Sequence, residues 1–312
     1  MTSRRMPAWI ALGGAVLVGV MTAVQARING QLGLRLDDGL LAAAISFGSG
    51  LVLLILLSAA LPAGRRGVGR LVTGVRERTI PWWMLVGGAA GAFTVATQGV
   101  AVAIIGVSLF TVGVVAGQAV CGLVLDRIGY GPSGVVAVTM PRVAGGALAI
   151  LAVVISLQGG VLGQVPWWML LMPLITGIGI SWQQATNGRL RQRVGSPMTA
   201  TLVNFIGGTA ILVVAAAIHI AIAGPPRALP TDAWLYVGGV LGLVYIMLSA
   251  ALIAYTGVLL FGLGSVTGQL ITAYLLDLLW PAEAHSGWLI GLLTIAIAAG
   301  SVIVAVAPWR RA

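Results

Sequence analysis

Long apolar runs, interrupted by arginine, proline and glycine, divide the chain into segments at about 7–28, 39–61, 81–103, 106–126, 136–157, 167–188, 197–223, 234–256, 257–278 and 286–307. Each is close to the roughly 20 residues that a helix needs to cross about 30 Å of hydrocarbon. The pattern therefore predicts ten membrane-spanning helices, joined by short loops. Two junctions are tight: Gly106 and Gly257 each separate adjacent spans with almost no loop. The first run, preceded by Arg4-Arg5, has the outline of a signal peptide. Its recurrence inside the chain argues for a retained helix.

The sequence repeats itself. At an offset of 158, Gln25, Asn29, Gly30, Leu32, Arg35, Ala42, Phe47 and Gly50 match Gln183, Asn187, Gly188, Leu190, Arg193, Ala200, Phe205 and Gly208. After a shorter loop the offset becomes 151. Trp83, Gly87, Gly88, Gly91, Gly106, Phe110, Gly113, Gly117, Gln118, Leu125 and Asp126 then match Trp234, Gly238, Gly239, Gly242, Gly257, Phe261, Gly264, Gly268, Gln269, Leu276 and Asp277. Two homologous five-helix halves follow, 1–158 and 159–312. Five is odd, so the second half enters the membrane from the side opposite to the first.

Charge gives an independent test of that inversion. All 17 basic residues are arginine, and placing the N-terminus in the cytoplasm puts 14 of them inside and leaves Arg27, Arg35 and Arg227 outside. Both termini are then cytoplasmic. The net charge of +10 belongs to cytoplasmic loops, not to a nucleic-acid-binding surface. With 59% hydrophobic residues, 8% charged and a mean hydropathy of +1.06, the chain is built for a lipid bilayer.

Several chemistries drop out of the same reading. Cys121, His219 and His285 supply neither a disulfide framework nor a zinc or other metal cluster. No phosphate loop or dinucleotide fingerprint occurs, so neither a cofactor nor nucleotide-driven pumping is expected. An intramembrane enzyme is disfavoured because no nucleophile–base pair is visible.

The stretch Gln25-x-x-x-Asn29-Gly30-x-Leu32 leading to Ser46-Phe47-x-x-Gly50, then Pro81-Trp82-Trp83 with Gly87-Gly88-x-x-Gly91, then Gly117-Gln118 with Leu125-Asp126, resembles the YdcZ-like family of the drug/metabolite transporter superfamily. The resemblance covers nearly the whole chain as two fused five-helix units. It implies an all-α integral membrane fold of ten helices in a 5+5 inverted repeat, akin to EamA-domain carriers, in the bacterial inner membrane. It also implies a metabolite exporter. The halves differ at Pro141-Arg142, whose counterpart near 294–298 has no arginine.

Polar side chains inside hydrocarbon face the bundle interior, so they form the candidate list. Gln25 and Asn29 share one helical face, as do Gln183 and Asn187. With Ser46 and its counterpart Asn204, topology predicts a periplasmic set of Gln25, Asn29, Ser46 and Asp277, and a cytoplasmic set of Gln183, Asn187, Asn204 and Asp126. Gln118 and Gln269 flank the centre. These amides either line a substrate pathway or hold helices together. Asp126, Asp277 and Arg142 are candidates for gating or coupling, with Arg142 a contact for an anion. Pro81-Trp82-Trp83 and Pro166-Trp167-Trp168 are expected to anchor helix starts at the interface.

The leading functional reading is a secondary transporter that moves a small polar metabolite, neutral, zwitterionic or weakly anionic, by alternating access and in the export direction. None of the seven acids lies mid-helix, where a cation antiporter would need one. Two alternatives remain open: a flippase for a lipid or lipid-linked intermediate, and a non-transporting membrane scaffold. A monomer suffices, since one chain holds both halves; a homodimer is compatible.

Overall fold

A computed structural model describes residues 7–156 and 167–279, together with 296, 299, 300 and 303. Among these residues the chain is all-α. The helices are α1 (Ala8–Leu36), α2 (Gly39–Ala60), α3 (Pro62–Arg76), α4 (Gly87–Arg127), α5 (Met140–Ser156), α6 (Trp167–Val194), α7 (Pro197–Ala223), α8 (Gly238–Thr256) and α9 (Val258–Leu279), with short 3-10 turns at Trp82–Met84 and Ala233–Tyr236. Six segments among the described residues are long and apolar enough to cross a membrane: Trp9–Leu36, Gly39–Ala60, Trp82–Ala101, Pro197–Ala223, Ala233–Thr256 and Val258–Leu276. The last expected span, 286–307, lies outside the described residues except at 296, 299, 300 and 303, which are helical.

Helix boundaries follow local chemistry. The first helix continues well past the expected residue 28, because nothing between Gln25 and Arg35 breaks it. It stops at Asp37, whose left-handed backbone (φ 57°) sends its N–H back to the Gly33 carbonyl. Asp38 then caps α2 by accepting from the Leu41 N–H at 2.9 Å. The arginine-rich segment expected to be a loop forms α3 instead. Pro62 starts that helix, where a missing N–H costs nothing.

The expected spans 81–103 and 106–126 appear as one helical run of 41 residues, yet α4 cannot be straight. Thr97 Oγ1 lies 2.9 Å from Thr176 Oγ1, while Gly117 abuts Leu174 and Ile178 of the same stretch of α6. A straight helix would set Thr97 and Gly117 about 30 Å apart. The run therefore doubles back between Thr97 and Gly113, and its two limbs lie along α6 in opposite directions. In the second repeat the equivalent reversal is an open break at Gly257 (φ 80°), between α8 and α9.

The two repeats are interleaved through glycine seams that occur twice. Gly177 of α6 abuts the Val114 carbonyl and the Gln118 nitrogen of α4; its equivalent, Gly19 of α1, abuts the Ser265 carbonyl and the Gln269 nitrogen of α9. In the reverse sense Gly117 meets Leu174 and Ile178, and Gly268 meets Val16 and Val20. Every one of these contacts joins one repeat to the other. Where α2 crosses α7, Phe47 and Phe205 stack with ring centroids 4.8 Å apart. Gly50 makes room for Phe205 and Gly208 for Phe47, so the two helices run antiparallel there. Because Phe47 and Phe205 are equivalent residues, the axis relating the repeats passes through their stack.

Candidate functional site

Two sets of buried amides lie against the starts of α8 and α4. In the first, Gln25 Nε2 donates to the Gly238 carbonyl at 2.8 Å, and Asn29 Oδ1 and Ser46 Oγ crowd the space where Gly238 would carry a Cβ. Asn29 Nδ2 donates to Gln98 Oε1 at 3.0 Å. All four side chains are buried, yet Gln25 Oε1, Asn29 Oδ1, Ser46 Oγ and Gln98 Nε2 have no hydrogen-bonding partner in the protein. The sequence reading missed Gln98. Its repeat counterpart is Ser249, so a search for matched amides passes over it; its position as a lone amide in an apolar span was the available signal.

The second set is the equivalent one and is more closely knit. Gln183 Nε2 and Asn187 Nδ2 both donate to Asn204 Oδ1, at 2.9 and 3.3 Å. They face Gly87 and Gly91 of α4, as Asn29 and Gln25 face Gly238 and Gly242 of α8. Asn204 Nδ2 and the neighbouring Gln184 Oε1 are buried without partners. The glycines explain the local sequence: a helix start can approach an amide cluster this closely only without a Cβ. Each set is joined to the aromatic stack, since Gly91 also borders Phe47 and Gly242 borders Phe205.

Gln118 and Gln269 are less alike than their equivalence predicts. Gln269 Nε2 donates to Ser265 Oγ at 3.1 Å, one turn back on its own helix. Gln118 is 1% exposed and both its Nε2 and Oε1 are unpartnered, although its main-chain carbonyl accepts from Ser181 Oγ at 3.2 Å. A buried amide with both ends free of protein partners is costly, of order 1–3 kcal/mol per unmet group.

Asp126 does not join the second amide set, where the sequence reading put it. Its carboxylate caps α9 across the break, accepting from Val258 N at 2.7 Å and Leu259 N at 3.0 Å, and it pairs with Arg142 NH1 at 3.0 Å. Gly257 is required here, because its φ of 80° suits glycine and because a Cβ would press on the carboxylate. Arg142 NH2 also donates to the Thr256 carbonyl at 3.3 Å. The expected anion contact is thus occupied by the protein's own carboxylate, and the helix-end acid is fully buried. Asp277 stands in the last turns of α9, but its side chain lies outside the described residues.

Charged side chains close both ends of the bundle. At one end His219 Nδ1 lies 3.1 Å from Asp38 Oδ2, Arg227 pairs with Asp37 at 3.1 Å, and Arg35 pairs with Asp232 at 3.3 Å. His219 is therefore a hydrogen-bonding neighbour of the buried Asp38 carboxylate. At the other end the Arg189 guanidinium lies over the rings of Trp83 and Tyr130, 5.6 and 5.0 Å from their centroids. Trp83 accordingly packs within the protein, while Trp82 remains exposed.

Apolar spanning helices, glycine seams and a twofold-repeated arrangement define an all-α, multi-pass membrane protein built from two copies of one unit. The chain matches the family described as "Putative inner membrane exporter, YdcZ" twice, at residues 9–155 and 161–305, and belongs to that family. It is an inner-membrane protein by that membership and by its apolar helices. A solved structure titled "Crystal structure of protein" shares the fold with a TM-score of 0.61 at 18% identity, over 96% of each chain. No curated protein matches the sequence.

Proposed function

We propose that the protein exports a small polar solute, neutral or zwitterionic, by alternating access between the two amide sets. Ten spans in a 5+5 inverted repeat, with both termini cytoplasmic, would set Gln25, Asn29 and Ser46 toward the periplasm and Gln183, Asn187 and Asn204 toward the cytoplasm. The observation that carries the reading is the unmet hydrogen-bonding capacity around the Phe47–Phe205 stack: Gln25 Oε1, Asn29 Oδ1, Gln98 Nε2 and Asn204 Nδ2 offer donors and acceptors but no charge. Such a surface suits a solute carrying hydroxyl, amide or amino-acid groups. Lipophilic cations fit poorly with the buried acids among the described residues: Asp126 pairs with Arg142, and Asp38 caps α2 and hydrogen-bonds His219.

The test is a ligand panel of amino acids, sugars, nucleosides, organic acids, polyamines and quaternary cations, read first as a rise in melting temperature of the purified protein and then as counterflow in liposomes. A neutral or zwitterionic solute should shift the wild type. Its counterflow should fall about tenfold in Asn29→Leu or Asn204→Leu, the effect of losing one or two buried hydrogen bonds. Counterflow of a quaternary cation, unaffected by both substitutions, would overturn the reading.

A further inference from the structure

The corner where α2, α3 and α7 meet stands apart from both amide sets and has no twin, because residues 224–232 at the equivalent place in the second repeat contain no helix. Glycines seat α3 there: Gly64 packs on Ser58 of α2 and Met198 of α7, and Gly67 on Thr199. Arg70 NH1 fixes the helix further by donating to the Val194 carbonyl at 3.3 Å. With Gly64, Gly67, Leu71 and Gly74 turned inward, helical spacing places Leu61, Val68, Val72 and Val75 on the adjoining strip. Val72 and Val75 are exposed, 61% and 43%, and Arg65 and Arg76 follow along the strip's far edge. An apolar strip edged by arginine is the pattern of a helix lying in the headgroup layer, its guanidinium groups reaching up to phosphates.

Beneath that strip runs an open groove of about 350 Å³ lined by Ile55, Ser58, Ala59, Arg65, Val68 and Leu202. Its wall is apolar except for Arg65 and Ser58, and the buried Ser58 hydroxyl has no partner in the protein. On the other flank of α3 a polar hollow of about 450 Å³ gathers Arg66, Arg70 and Arg193 with a single acid, Glu77. The exposed apolar residues of α2 and α7 beside the groove, among them Val52, Leu56 and Ile206, face the surroundings as lipid-facing positions do. A soluble anion would use only the arginines. An apolar groove leading up to an arginine fits a molecule with a hydrocarbon tail and a negative head.

We propose that this corner is a binding site for an anionic phospholipid, with an acyl chain along Ile55, Ala59, Val68 and Leu202 and its phosphate at Arg65, in the field of Arg66, Arg70 and Arg193. The inference does not depend on what the protein exports. The intact chain, purified in neutral detergent, is titrated with phosphatidylglycerol, with phosphatidylcholine of the same chains, and with glycerol 3-phosphate, reading bound lipid by native mass spectrometry and the melting temperature. Phosphatidylglycerol should be retained about tenfold more strongly than phosphatidylcholine, the worth of one charge-assisted contact. Glycerol 3-phosphate should not bind. Arg65→Gln should bring phosphatidylglycerol down to the phosphatidylcholine level, and Ala59→Trp should exclude both lipids. Arg227→Gln, at the opposite end of α2, should change nothing. Each variant's melting temperature without lipid establishes that it folds, and exposed Arg65 can be replaced without disturbing the core. Equal retention of the two lipids, full retention in Arg65→Gln or Ala59→Trp, or equally strong binding of glycerol 3-phosphate would overturn the proposal.

Discussion

Gly117 and Gly268 lie against the backbone of a neighbouring helix, whereas Gly13, Gly48 and Gly262 have open space where a side chain would stand. The same chemical change should therefore have opposite consequences. Gly117→Ala and Gly268→Ala are expected to lower stability by about 1–3 kcal/mol through overpacking, and by similar amounts, because their surroundings are equivalent. Gly48→Ala should be neutral or mildly stabilising; melting temperatures of the purified variants decide. Asp126 is the other residue with a sharp prediction. Asp126→Ala strands a buried guanidinium and leaves the start of α9 uncapped, which is expected to cost about 3–5 kcal/mol. Adding Arg142→Met should restore part of that loss, a non-additivity readable as recovered expression and melting temperature in the double variant.

At the scale of elements, α3 offers a simple check. Gly69 sits inside this helix on an exposed face with nothing near it, so Gly69→Ala should raise stability by up to about 1 kcal/mol by helix propensity alone. A fall in melting temperature would show that the segment is not helical in the membrane. The sequence reading took this stretch for a loop because its arginines mask a three-to-four-residue spacing made mostly of glycine, which carries no hydrophobic signal. Six of the ten expected spans, by contrast, stand out among the described residues as helices of spanning length and hydropathy, and the amide sets were legible from the repeat itself. Gln25 and Asn29 with Gln183 and Asn187 stood out because a second copy preserved them. Gln98 and the capping role of Asp126 did not stand out: one lacks a matching amide, and the other depends on a contact 132 residues away in sequence. The fold-back of α4 is legible as two spans meeting near Gly106, but the absence of any loop between them is not.

For the molecule as a whole, the interleaved seams mean that neither repeat holds its own core. The glycine face of α1 is covered by α9, and that of α6 by α4. Residues 1–158 expressed alone are expected to be degraded or to aggregate, and co-expression with 159–312 should recover a folded complex, checked by co-purification. An isolated first half that melts cooperatively as a monomer would contradict the packing described. There is a historical consequence as well. A seam satisfied twice by matching residues is one that two identical chains, inserted in opposite orientations, could have made with each other. The stacked Phe47 and Phe205 would then have been a single residue meeting its own copy across a dyad. Differences between the halves such as α3, Arg142 and the break at Gly257 need two separately encoded copies, since a single gene makes both sides of such a dyad alike.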